Sequence, residues 1–318
     1  MKPDEPGAWP FEPQVDAQAF AALGFAASSA GIARRQRDCR EGWWAHAERS
    51  KAFIMNAAMR ARKHGLAVVL GAGKAYDLPL AELAGGFKQV MLIDIDAAAL
   101  ADASAAAVRD SALRRRLELR ALDLTGVTGR LVRGIQDAIA GAADAAAAEA
   151  TFEELCGSYR LAEPPRLVPG VERADLLVSA LMLTQLALPA KLLARQLFEQ
   201  RFGPVQPGAD PRWVKAWNEL DLRMQQDHID ALTAQADLAV LTSEVTHHVM
   251  ARVPGGSDRP TGESWSLIGA RTLDERVPGY MEIVASSTWA WPRIRASGRS
   301  PGARMDVGAV ALRRRGDS

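Results

Sequence analysis

Leu66-Ala-Val-Val-Leu-Gly-Ala-Gly73 decides the reading of this chain, together with Val90-Met-Leu-Ile-Asp-Ile-Asp96 about 20 residues further on. Each begins with a short apolar run, too brief for a buried helix and closed abruptly by glycine or acid, which is the pattern of a buried strand. Gly71 and Gly73 turn the chain where side chains would block a ligand from the backbone. Asp94 stands where an acid at the end of a second strand accepts hydrogen bonds from both ribose hydroxyls of a nucleoside cofactor. Asp96, directly before the alanine-rich run from Ala97 to Val108, is expected to cap that helix.

Working outward, Leu117-Glu-Leu-Arg-Ala-Leu-Asp123 reads as a third strand ending in acid, Ala174 to Ala180 as a fourth and Asp237 to Ser243 as a fifth, with helical patterns between them. Gly126 to Glu149 reads as one long helix of low complexity. Tyr280 to Trp289 and Met305 to Leu312 follow as two strands with only an Arg, Gly and Ser turn between them, which requires an antiparallel pair. The fold class expected is therefore α/β: a doubly wound, mostly parallel, seven-stranded Rossmann-like sheet with an antiparallel C-terminal hairpin. Residues 1–15, rich in proline, are expected to be a flexible arm. Residues 16–64 form a helical extension or lid, with Trp43, Ala47, Ile54, Ala58 and Ala61 on one face. The sheet domain runs over 65–318, with a Gly, Pro and Asp-rich insertion at about 251–279.

Composition narrows the function. The chain has 318 residues, 48% hydrophobic and 24% charged, which excludes a disordered tail and a disulfide-stapled miniprotein. Its 39 basic and 38 acidic groups leave a net charge of +1, so no global field draws it to nucleic acid. The clusters Arg34 to Arg37, Arg114 to Arg116 and Arg313 to Arg315 read as solvated ends of elements. Two cysteines, Cys39 and Cys156, make no disulfide framework and no zinc pair. No apolar run reaches the roughly 18 residues that span a bilayer, and the N-terminus lacks the pattern of a signal peptide, so a cytoplasmic protein without membrane partners is expected. His228, His247, His248 and Glu244 lack metal-ligand spacing, and no metal is expected.

Strand ends delivering glycine, then acid, then acid resemble the class I S-adenosylmethionine-dependent methyltransferase superfamily. Val68-Val-Leu-Gly-Ala-Gly73, Leu92-Ile-Asp94, Ala121-Leu-Asp123, Asp175 to Ala180 and the terminal hairpin carry the resemblance. It implies S-adenosylmethionine as cofactor, with Gly71, Ala72 and Gly73 under its methionine part. It further implies Asp94 with Ile95 at the ribose, Asp123 with Leu124 at the adenine, and Ser179 nearby. The family's third glycine is here Ala75, followed by Tyr76 and Asp77; Asp77 is expected to meet the cofactor's amino group, with an ordinary helix-start aspartate as the competing reading. A dinucleotide fingerprint would need glycine where Tyr76 stands, which argues against a dehydrogenase.

After the fourth strand, Ser179-Ala-Leu-Met-Leu-Thr-Gln185 lacks the Asn/Asp-Pro-Pro-aromatic signature of nucleic-acid amino methyltransferases, pointing to a small-molecule acceptor. Glu244 or His247, just past the fifth strand, is the expected general base. His46 and Arg49, diverging from the apolar stripe of their helix, are the expected acceptor contacts, and Trp265, Trp289 and Trp291 close the other side. Alternative readings are aminopropyl or aminocarboxypropyl transfer, RNA methylation and non-catalytic nucleoside binding.

Overall fold

The computed structural model describes residues 8–161, 165–205, 212–253, 258–267, 277–296 and 300–315. Strands β1 (Leu66–Leu70), β2 (Gln89–Asp94), β3 (Leu117–Ala121) and β4 (Leu176–Ala180) run parallel, joined by the first half of β5 (Leu238–Ala251). β6 (Arg259–Ser266), β7 (Met281–Ile294) and β8 (Gly302–Arg314) complete an eight-stranded sheet. Its order is β3-β2-β1-β4-β5-β8-β7, with β6 beside the distal half of β5 and β8 antiparallel to both neighbours.

Helices α1 (Ala17–Ala22), α2 (Phe25–Asp38) and α3 (Arg40–Ala58) precede the sheet. Between its strands come α4 (Leu80–Gly86), α5 (Ala97–Ala107), α6 (Ser111–Arg114), α7 (Thr128–Gly141), α8 (Ala145–Gly157), α9 (Leu188–Phe202) and α10 (Arg212–Ala234). The two-residue period of β1 sorts its side chains. Val68 and Leu70 join a core with Ile135 of α7, Phe152 of α8 and Trp217 of α10, whereas Ala67 and Val69 meet Ile54 of α3, Leu83 of α4 and Leu100 of α5. A third cluster, Trp43, Trp289, Trp291, Met305 and Val307, fastens α3 to the β7–β8 hairpin.

Four expectations are corrected. β5 continues to Ala251 and pairs with β6, so the expected insertion contributes a strand where it is described; residues 254–257 and 268–276 lie outside the described residues. The stretch Val245-Thr-His-His-Val is rich in β-branched residues and finds partners on β6 and β8, which extends the strand. The helix expected over 126–149 is two, because the Asp144 side chain accepts from the Ala147 amide at 2.9 Å and restarts the chain as α8. The N-terminal arm, expected to be flexible, is packed from residue 8. Trp9 is fully buried with its amide on the Arg160 carbonyl, and Phe11 lies where a side chain on Gly126 would be. Finally, two arginine clusters serve helix ends: Arg116 donates to the Ala84 and Phe87 carbonyls, and Arg314 to those of Thr233 and Ala234. No helix among the described residues is long and apolar enough to cross a membrane.

Candidate active site

A cavity of about 620 Å³ opens over the carboxyl ends of β1, β2 and β3 and reaches the β7–β8 hairpin, with α1, α2 and α3 along its side. Its floor at one end is the loop after β1. Gly71 and Gly73 both adopt left-handed conformations, with φ of 69° and 45°. A side chain at Gly71 would collide with Met182, so glycine there is required by packing as well as by conformation. Ala75 is also left-handed, with φ of 54°, a conformation glycine would adopt with less strain.

Asp94 ties this loop to β2. Its Oδ2 accepts from the Gly73 amide at 2.8 Å and its Oδ1 from the Asp96 amide at 2.9 Å. Burial raises the Asp94 carboxyl above the ordinary aspartate range, and the Asp96 and Gly73 amides oppose that shift. Each oxygen keeps a lone pair for another donor, so a ribose diol fits here. Asp96 caps α5 through the Ala99 amide at 3.0 Å and accepts the Ser29 hydroxyl at 2.6 Å, which fastens α2 to the end of β2.

Asp123 lines the cavity but also organises its own loop. Oδ1 accepts from the Thr125 amide and hydroxyl at 2.9 and 2.7 Å, and Oδ2 from the Thr128 amide at 2.9 Å. The start of α7 is thereby fixed beside the cavity. Ala72, Tyr76, Asp77, Ile95 and Leu124 complete the lining at this end.

The opposite end is made of His46 and Trp43 from α3, Arg35 from α2, Trp291 and Arg293 from β7 and Glu244 from β5. His46 stacks on Trp291 with centroids 4.1 Å apart at 12°, while Trp43 meets Trp291 edge-on at 4.8 Å. Glu244 is buried, and its carboxylate is heavily engaged. Oε1 accepts from Arg293 at 2.7 Å, and Oε2 from the Thr184 hydroxyl at 2.6 Å and the Gln185 amide at 3.4 Å. Three donors hold this carboxylate in place, and a lone pair on Oε1 remains for a proton acceptor's work. Asp77, by contrast, makes no hydrogen bond among the described residues; its Oδ2 lies 3.6 Å from His46 Nε2.

Three expected site residues lie elsewhere. Arg49 is exposed on α3 and does not line the cavity: the buried stripe of the helix centres on Trp43, Ala47, Ser50 and Ile54, with His46 at its margin and residue 49 beyond it. His247 is half-buried on the extended β5, in register with Trp265 of β6 and Met305 of β8, and does not line the cavity. Ser179 is fully buried and bonds His228 Nε2 at 2.9 Å, which turns it toward α10. The side chain of Trp265 lies outside the described residues. Sequence reading missed Arg35, which sat within an apparently solvated basic cluster, and Arg293. For Arg293 a signal existed: Trp289, Trp291 and Arg293 alternate along one strand face. Among the described residues no His, Cys, Asp and Glu side chains gather as a metal site.

Strand order, the reversed final hairpin and the glycine and acid loops together give the chain a Rossmann-like α/β fold, the one that the resemblance to class I methyltransferases implies. No family model matches the chain and no curated protein matches it. Among solved structures it is similar to magnesium protoporphyrin IX methyltransferase (ChlM) from Synechocystis PCC 6803 with bound SAM, at 11% identity and a TM-score of 0.42, covering 93% of this chain and 98% of that one. It is also similar to the glycopeptide N-methyltransferase MtfA complexed with S-adenosyl-L-methionine, at 10% identity and a TM-score of 0.41 over 84% of this chain and 94% of that one. N-methyltransferase NodS from Bradyrhizobium japonicum WM9 matches at 14% identity and a TM-score of 0.37, over 85% and 96% of the two chains.

Proposed function

We propose that the chain is an S-adenosylmethionine-dependent methyltransferase acting on a small molecule enclosed in this cavity. The observation that carries the reading is the continuity of one cavity, with Gly71, Gly73, Asp94 and Asp123 at one end and Arg35, His46, Trp291 and Arg293 at the other. The nucleoside end offers two carboxylates and left-handed glycines, the donor set that suits a ribose and an adenine. Asp94 and Ile95 hold the ribose, Asp123 and Leu124 face the base, and Asp77 takes the amino group. When bound, the cofactor supplies a methyl group already activated by its sulfonium.

The protein's own work is then positioning and exclusion of water. Ser29 and Asp96 hold α2 against the cavity, and Glu244 fixes the Arg293 guanidinium at its far end. His46, accepting from Trp289, presents a donor rather than a base. A lining that is largely apolar and enclosed by three helices favours a small acceptor over a nucleic-acid strand. The test is incubation with methyl-labelled S-adenosylmethionine and pooled small-molecule acceptors. Labelled product that disappears in Asp94→Ala supports the reading, and label found only in added RNA would contradict it.

A further inference from the structure

Asp77 is a carboxylate of the cavity wall that the protein leaves without a cation. Its side chain is 19% exposed, and no Lys or Arg among the described residues lies within ion-pair distance of it. Lys74, the nearest basic residue in sequence, pairs with Asp102 at 2.9 Å instead. The group that faces Asp77 is His46, whose Nε2 stands 3.6 Å from Oδ2. That nitrogen is shielded from solvent and has no hydrogen-bond partner among the described residues. A donor and a carboxylate are thus set opposite each other just beyond hydrogen-bond reach, a gap of the kind that ligand binding commonly closes.

The imidazole is held from two other sides. It stacks on Trp291 with centroids 4.1 Å apart, and its Nδ1 accepts the Trp289 indole N–H at 3.0 Å. With Nδ1 so occupied, the ring proton sits on Nε2, the nitrogen that faces Asp77. A second ring proton would set an N–H against the indole N–H, so the ring meets Asp77 as a neutral donor and not as a cation. That difference decides what Asp77 can do. A cationic neighbour would neutralise the carboxylate, whereas a neutral N–H fixes one oxygen and leaves the negative charge for a cation in the cavity.

We infer that His46 is a positioning residue for the cofactor: through Nε2–H it orients Asp77 so that Oδ1 receives the ammonium of the cofactor's amino-acid end. This rests on the reading that Asp77 takes that amino group. It joins parts of the chain that lie far apart in sequence. Trp289 of β7 fixes the tautomer of His46 on α3, and His46 in turn fixes the carboxylate in the loop after β1. A nucleoside without the amino-acid end gains nothing from this arrangement, which separates the positioning of Asp77 from mere support of the fold.

Calorimetry with S-adenosylhomocysteine, which carries the ammonium, and methylthioadenosine, which lacks the whole amino-acid end, tests the inference. His46→Phe keeps a flat ring against Trp291 and removes the donor. It should weaken S-adenosylhomocysteine about tenfold and leave methylthioadenosine within about twofold. His46→Gln, which restores an N–H, should recover most of the loss, and adding His46→Phe to Asp77→Asn should weaken S-adenosylhomocysteine no further. In the parent protein the His46 Nε2–H signal in nitrogen NMR should move with S-adenosylhomocysteine more than with methylthioadenosine, which decides the matter even if His46→Phe does not fold. Equal weakening of both nucleosides, additive losses in the double variant, or a signal that both nucleosides move alike would overturn the inference. In the free protein the same signal should already differ between the parent and Asp77→Asn, and an unchanged signal would refute the contact apart from any cofactor. A changed signal with unaltered S-adenosylhomocysteine affinity in Asp77→Asn would instead refute the assignment of Asp77 to the ammonium, and the inference with it.

Discussion

The indole N–H of Trp289 donates to Nδ1 of His46 at 3.0 Å, in a fully buried contact between the β7–β8 hairpin and helix α3. Because an indole can only donate, Nδ1 must be unprotonated and the imidazole carries its proton on Nε2, toward Asp77 and the cavity. A tryptophan well outside the cofactor end thus decides what His46 offers an acceptor.

Trp289→Phe removes that constraint while keeping an aromatic ring. Nitrogen NMR of His46 should then change from a single Nε2–H tautomer to a mixture, and thermal stability should fall by about 1 to 2 kcal/mol for the lost bond and the smaller ring. An unchanged tautomer would mean that the fold orients the ring without Trp289.

Glu244 and Arg293 form a second test, since Arg293 is largely shielded and Glu244 is 3% exposed. Glu244→Gln strands the guanidinium and should destabilise the fold by about 2 kcal/mol or more, and Glu244→Gln with Arg293→Gln should recover part of that loss. A general base would behave differently: the single variant would keep its melting temperature and lose turnover by about a hundredfold.

Helix α2 is tied to the sheet by a small contact. Helix α2 buries no residue fully, and Gly24 at its start is left-handed, so the Ser29 hydroxyl on Asp96 is its main polar tie to the sheet. Ser29→Ala should speed hydrogen exchange in α2 and weaken cofactor binding severalfold while the melting temperature moves little. Unaltered exchange in α2 would show that packing, not this bond, holds the helix beside the cavity.

Two buried groups on α10 give stability opposite dependences on pH. Burial drops the His228 imidazole to about 4, below its ordinary 6.5. The unfolded chain therefore binds the extra proton between those values, and the His228 contribution is complete above about 6.5 and lost as pH falls toward 4. Burial lifts Asp221 from 3.8 to about 6, so its contribution is complete below 3.8 and lost as pH rises through about 6. Asp221→Asn should consequently raise the melting temperature at pH 8, by on the order of 2 to 4 °C, and change it little at pH 4. His228→Gln should flatten the acid limb. Melting curves of both variants from pH 4 to 8 check the signs.

Much of the architecture was legible because its signals were local. Five short runs, most of them apolar and closed by glycine, acid or a serine at or next to the end, marked the parallel strands, and the missing helix before the last strand fixed the reversed hairpin. The distal half of β5 was not legible, since Thr246 and His247 become strand only by pairing with β6 and β8. The break at Asp144 was hidden by alanine on both sides, although a lone aspartate before a helical run is a capping signal. At the site, Gly71, Gly73, Asp94 and Asp123 converge because strand ends of a parallel sheet converge. Arg35 and Trp291 come from opposite ends of the chain, and only the packing of α2 and α3 on the hairpin puts them in one cavity.

Calorimetric titration of the purified protein with S-adenosylhomocysteine, with NADH as control and Asp94→Ala alongside, tests the central claim most directly. The account predicts micromolar binding of the sulfur nucleoside, no binding of NADH, and a loss of about 2 to 3 kcal/mol in Asp94→Ala. Binding of NADH alone, or an Asp94→Ala protein with unchanged affinity, would contradict it.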